Sequence, residues 1–138
     1  MVDLAGMTPE EIDTLAAPLA RERWGVERIL RWLRWYEQLK GLRATERRRV
    51  ADGITARLAE LERIDAELAP LEAEWARRGW ERYYTTLNKA NAHVHRTPTC
   101  RTLREGTQVA WLPPLAGSDP SVVRFQVDPC ATCFRRWV

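Results

Sequence analysis

Two histidines and three cysteines are all that the chain has, and all five fall between residues 93 and 133. "HVHRTPTC" holds His93, His95 and Cys100, and "DPCATCF" holds Cys130 and Cys133. A C-x2-C step lets two thiolates grip one ion, and a histidine paired with Cys100 supplies two more ligands. Three sulfurs and one imidazole suit tetrahedral Zn²⁺. Iron–sulfur clusters generally need four thiolates, and only three cysteines exist here. The expected ligands are His95, Cys100, Cys130 and Cys133. His93 is the alternative to His95, because residues two apart in an extended strand face the same side. Four residues between histidine and cysteine is the commoner ligand spacing, which favours His95.

Four protein ligands leave no open position for water, so the zinc is expected to be structural. The sequence contains no HxE, no HExxH, no P-loop and no glycine-rich nucleotide fingerprint. Glu81, Glu105, Asp119 and Asp128 are scattered without a pattern that demands catalysis. The chain is therefore read as a non-enzyme, with an HNH-like ββα nuclease built on "HVH" as the alternative.

The elements that carry these residues fall into two regions. Thr8, Pro9 and Glu11 form a helix start, with cap, first-turn proline and capping-box acid in order. Ile12, Leu15, Leu19, Val26, Ile29, Leu33 and Tyr36 then follow a three/four spacing, which predicts one apolar face. Pro18 is expected to kink or interrupt this helix, and Gly41 marks a turn. A second helix is predicted from near Arg43 to Gly79. Val50, Ile54, Leu61, Ile64, Leu68, Leu71 and Trp75 take its heptad core positions, with Arg57 as a break and Pro70 as a blemish. Two long helices joined by a short turn predict an antiparallel coiled-coil hairpin over residues 1–79, able to form a homodimer.

Residues 80–138 have a different texture. "WERYYTTLNKANAHVH" reads as a strand, a polar turn at "NKAN" and a short return strand. "CRTLREG" predicts one or two helical turns, "VAWLPPLAGSDP" is expected to be irregular, and "DPSVVRFQV" predicts a short helix capped by Asp119. So little apolar periodicity makes a thin core, and small domains of this kind need a staple such as a metal. The expected fold is mostly α with a small α+β zinc domain: a helical hairpin, then a zinc-stapled β-hairpin and short-helix module.

These last residues also carry a resemblance. "WERYYTTLNKANAHVHRTPTC", "VAWLPPLAG" and "DPCATCF" resemble a group of small actinobacterial and actinophage proteins. Those join a helical region to a zinc-finger-like "GHxH…C…AWLP…CxxC" ending. Ala92 stands here where they often have Gly, and Leu103 where many have a second cysteine. More distantly, the pattern is similar to the Ada-type zinc-binding domain of DNA-repair proteins. That likeness implies a small zinc-centred αβ domain and DNA contact, without methyl transfer, because His95 takes a ligand position here.

Charge is distributed unevenly. The net charge is +3, yet residues 21–49 carry ten basic and four acidic groups, and residues 50–76 carry two basic and seven acidic. Arg43, Arg47, Arg48 and Arg49 gather at the expected hairpin tip with Arg31, Arg34 and Lys40. Trp24, Arg28, Arg31 and Trp35 are spaced four, three and four, a stripe roughly opposite the apolar face. Trp and Arg are enriched at binding hot spots. The stripe is expected to be covered by the zinc domain, a second hairpin, or an external partner. Two functions follow: a small phage-type regulator that contacts nucleic acid or a nucleic-acid-associated machine, or an effector that docks on a host protein. No apolar run approaches the ~20 residues of a membrane span. The first residues lack the pattern of a signal peptide, so a cytoplasmic protein is expected.

Overall fold

The computed structural model describes residues 2–87, 92–104 and 106–135. The chain is mostly helical, with a small three-stranded antiparallel sheet. Helix α1 spans Pro9–Glu37 and α2 spans Ala44–Arg78. Their boundaries follow the expected chemistry. The Thr8 hydroxyl accepts the Glu11 N–H at 3.1 Å, and Glu10 and Glu11 place negative charge on the N-terminal end of the dipole. Gly41 and Gly79 take positive φ, 83° and 69°. Gly79 closes α2 with its N–H on the Trp75 carbonyl at 2.7 Å.

Pro18 does not end α1, and Pro70 does not end α2. Each proline removes one backbone N–H, and a single missing bond is tolerated in a helix of about 30 residues. The prolines nevertheless mark a division. The chain separates into two compact units, one made of residues 1–17 and 71–138, the other of residues 18–70. The division therefore differs from a cut at Gly79: the first turns of α1 and the last turns of α2 belong with the cysteine-bearing segment.

The reason is a buried cluster around Arg82, which is 4% exposed. Arg82 Nε donates to Asp13 Oδ1 at 3.0 Å, and Nη1 donates to both oxygens of Glu72 at 2.9 and 3.1 Å. Nη2 lies 2.9 Å from Asp13 Oδ1 as an ion-pair contact, off the hydrogen-bond direction. Trp80 Nε1 donates to Asp13 Oδ2 at 3.2 Å. The guanidinium also lies over Trp75 at 4.5 Å and Trp111 at 4.4 Å. A buried charge is stable only when paired and hydrogen-bonded, so Asp13 and Glu72 are drawn into the unit that holds Arg82.

The sheet in this first unit has the order β2–β1–β3. β1 is Tyr84–Thr86, β2 is Val94–His95 and β3 is Val109–Trp111. Tyr84 pairs with His95 on one side and with Trp111 on the other. The two predicted strands of "WERYYTTLNKANAHVH" are thus present; the turn at "NKAN" lies outside the described residues. "VAWLPPLAG" is not irregular as expected. Val109–Trp111 pairs with β1, and the Leu112 N–H reaches the Tyr83 carbonyl at 2.9 Å. Pro113 and Pro114 open a 3₁₀ turn, Pro113–Leu115, where no N–H is needed. The described part of "CRTLREG" forms turns rather than a helix. Short helix α3, Pro120–Val123, starts at Asp119, whose side chain accepts the Ser121 N–H at 2.9 Å.

The core of this unit is Tyr83, Val94, Val123 and Phe134, with Leu112, Leu115, Val127 and Cys133 packed against it. The Tyr83 hydroxyl donates to the Ser118 carbonyl at 2.6 Å, so its buried polar end is satisfied.

In the second unit, Leu33 of α1 lies against Gly53 of α2. Arg23 pairs with Asp65, and Glu22 with Arg63. Residues 22 and 23 of α1 meet 63 and 65 of α2, whereas Leu33, further along α1, meets the earlier Gly53, so these stretches run in opposite directions. Val26 and Leu30 are buried on α1, and Val50, Ile64 and Leu68 on α2. Ile29, expected on the buried face, is 44% exposed. In the first unit Leu15 is likewise exposed, while Ile12 and Ala16 are fully buried. The buried line of α1 thus uses Ala16 and Leu30 at positions next to Leu15 and Ile29.

Candidate metal centre

The four predicted ligands meet. One ligand atom each from His95, Cys100, Cys130 and Cys133 lies within 4.8 Å of all the others, and this group could hold a metal ion. Cys100 Sγ is 3.8 Å from Cys130 Sγ, and Cys133 Sγ is 3.7 Å from His95 Nδ1. No disulfide forms: all three cysteines are free.

Local structure explains the convergence. His95 is the last residue of β2, and its pairing with Tyr84 fixes its place in the sheet. The C-x2-C loop is tied to the same strand, because the Val94 N–H donates to the Asp128 carbonyl at 2.8 Å. The Cys130 N–H donates back to Val94 at 2.9 Å. These bonds place Cys130 beside β2. The chain then turns, with the Phe134 N–H on the Cys130 carbonyl at 3.0 Å, and brings Cys133 round to His95. Phe134 is fully buried and anchors the end of the loop. Cys100 opens another turn, closed by the Leu103 N–H on its carbonyl at 2.9 Å.

His93 is placed elsewhere. It precedes β2, its side chain is 53% exposed, and its Nδ1 lies 3.2 Å from Asp128 Oδ2. Strand alternation would have put both histidines on one side, but the strand begins only at Val94. His95 is 3% exposed.

Sequence reading missed Thr102. Its hydroxyl lies 3.2 Å from Cys100 Sγ and 3.6 Å from Cys130 Sγ, where it can donate to a thiolate. The signal was a hydroxyl residue two positions after a candidate ligand. Burial pushes the Cys130 thiol up, but the N–H groups of Cys133 and Thr132, with Thr102 and Cys100, bring it below the usual thiol range. Burial raises the Cys133 thiol, and the neighbouring Cys100 and Cys130 sulfurs add to that. Burial, with a smaller contribution from His93, lowers the pKa of His95 and favours the neutral imidazole that a metal requires. A cation would displace the remaining thiol protons and relieve the crowding of sulfur charge.

The predicted partner-binding residues lie in the second unit. Trp24 is half-buried with Arg28 stacked over it at 5.5 Å, and Arg28 and Arg31 are exposed. Trp35 is 58% exposed. Arg43, Arg47, Arg48 and Arg49 are all exposed. Trp32, absent from the predicted stripe, is as open as Trp35 at 57%. Its distance from the buried line of α1 was the available signal.

Among the described residues, no helix is long and apolar enough to cross a membrane. No protein-family model matches the chain, and neither a curated protein nor a solved structure does.

Proposed function

We propose that the four-ligand cluster holds a structural Zn²⁺ and that the protein is a non-enzymatic binding protein for nucleic acid or a nucleic-acid-associated machine. Zinc–sulfur bonds of about 2.3 Å set sulfurs about 3.8 Å apart in a tetrahedron. The Cys100–Cys130 separation of 3.8 Å supports that ion. When bound, the ion would cross-link β2, the Cys100 turn and the C-x2-C loop, the staple that a thin core requires. Elemental analysis of the purified protein tests this directly, and absence of bound zinc would end the assignment. Chelation should then loosen the sheet and core of the first unit while helical signal from residues 18–70 remains.

The observation that carries the partner is a contrast in pairing. Arg23, Arg57 and Arg63 are neutralised by acidic neighbours. Among the described residues, Arg28, Arg31, Arg34, Lys40, Arg43, Arg47, Arg48 and Arg49 form no ion pair. Connectivity gathers these cations, because the end of α1 and the start of α2 are joined by residues 38–43. Unpaired guanidinium groups suit phosphate, and their contacts release counterions. A gel-shift titration at two salt concentrations tests the reading: affinity should fall steeply with salt, and no shift at low salt on DNA or RNA would sink it.

A second reading rests on the exposure of Trp32 and Trp35, which also suits docking on a protein. Binding of that kind would depend on the tryptophans and little on salt. In both readings α1 and α2 form a coiled-coil hairpin able to pair with a second copy, which light scattering tests.

A further inference from the structure

We infer that the outer face of α1 is a stacking platform for single-stranded nucleic acid, an inference that rests on the nucleic-acid reading above. At 100° per residue, Trp24, Arg31, Trp35, Arg28, Trp32 and Ile29 fall on one arc of α1 away from buried Val26 and Leu30. Between Trp24 and Trp35 that arc contains no acidic residue. Glu27 lies off it and pairs with Arg23.

The aromatic groups are held for use. Trp32 stacks on Tyr36 with ring centroids 5.3 Å apart and planes inclined by 30°, and still leaves more than half of its surface open. The Arg28 guanidinium lies over Trp24. The stack on Tyr36 holds the Trp32 ring, so little of its side-chain freedom remains to be lost when a flat partner arrives.

Charge and shape together select the partner. Arg28 and Arg31, which form no ion pair among the described residues, share this arc with the exposed Trp32 and Trp35, and the combination calls for a ligand with repeated negative charge and repeated flat apolar surface. Single-stranded nucleic acid offers both, since its bases can leave the stack and lie on aromatic side chains while its phosphates meet cations. A duplex offers the charge but keeps its base faces buried in its own stack. Arg43 and Arg47–Arg49, exposed after the end of α1 in the chain, supply further cations for phosphates.

The test uses the full chain and labelled oligothymidylate of about 16 nucleotides, within the site sizes of such surfaces. Fluorescence anisotropy at low salt compares it with a duplex of equal length. The single strand should bind more tightly. Trp32→Ala and Trp35→Ala should each weaken it roughly 5- to 150-fold and leave duplex binding little changed. Trp32→Phe should restore much of the loss, and unchanged helical circular dichroism shows that each variant is folded. Equal or tighter duplex binding, or tryptophan variants with wild-type affinity, would overturn the platform and leave the nucleic-acid reading standing. No binding to either probe overturns both, and assigns the Trp32–Trp35 face to a protein partner.

Discussion

Replacement of Asp13 by Ala should destabilise the first unit more than any exposed substitution on α1. Asp13 is 3% exposed and its two oxygens serve Arg82 and Trp80. Removing it leaves the Arg82 guanidinium buried with half its pairing gone. Breaking a buried pair from one side costs about 3–5 kcal/mol. Glu72 remains on Arg82 at 2.9 Å and its side chain is 39% exposed, so part of the charge stays compensated. The lower end, about 3 kcal/mol, is therefore expected. With a urea slope of about 1–3 kcal/mol per molar, the unfolding midpoint should fall by about 1–3 M. Urea titration followed by tryptophan fluorescence reads this, because Trp75, Trp80 and Trp111 all lie around Arg82. Arg82→Met with Asp13→Ala should recover part of the loss, since an apolar pair can replace a buried ionic one. A single Asp13→Ala variant within about 0.5 kcal/mol of wild type, the range of ordinary surface changes, would refute the view that this pair ties the start of α1 to the sheet.

Three other outcomes follow from the metal centre and its core. With zinc bound as proposed, His95→Ala should lose the metal and His93→Ala should keep it, read as zinc per chain after dialysis; the opposite result would exchange the two histidines. Thr102→Val should weaken zinc binding roughly 10- to 100-fold, as loss of an outer hydrogen bond does, measured by competition with a chromogenic chelator; unchanged affinity would show that the hydroxyl does not support the thiolates. Tyr83 and Tyr84 are each pushed up to about 12, foremost by burial. Their folded values lie above the unfolded value near 10, so their stabilising contribution is complete below pH 10 and is lost as pH rises toward 12. Circular dichroism and tyrosinate absorbance should therefore change together in that window. Tyrosinate absorbance that follows ordinary ionisation near pH 10 for every tyrosine, with the fold intact, would contradict their burial.

The sequence by itself determined the features whose causes are local. Thr8, Asp119 and Gly79 mark their helix ends because caps depend on a few neighbouring backbone groups. The candidate ligands were legible for a related reason: thiolate and imidazole are the donors that suit Zn²⁺, and C-x2-C pairs two thiolates within one turn. Tertiary structure decided what local rules left open. His95 was separated from His93 by where β2 begins, which depends on pairing with Tyr84 and on bonds between Val94 and the C-x2-C loop. "VAW" became a strand because β1 had a free edge, not because of its own pattern. Leu30 rather than Ile29 is buried because packing against α2 selects one line among several compatible with helical spacing. Arg82 and Asp13 gave no sequence signal, since 69 positions separate them and each alone is an ordinary charged residue. Only folding takes both out of water, and in a low dielectric each becomes the other's necessary partner.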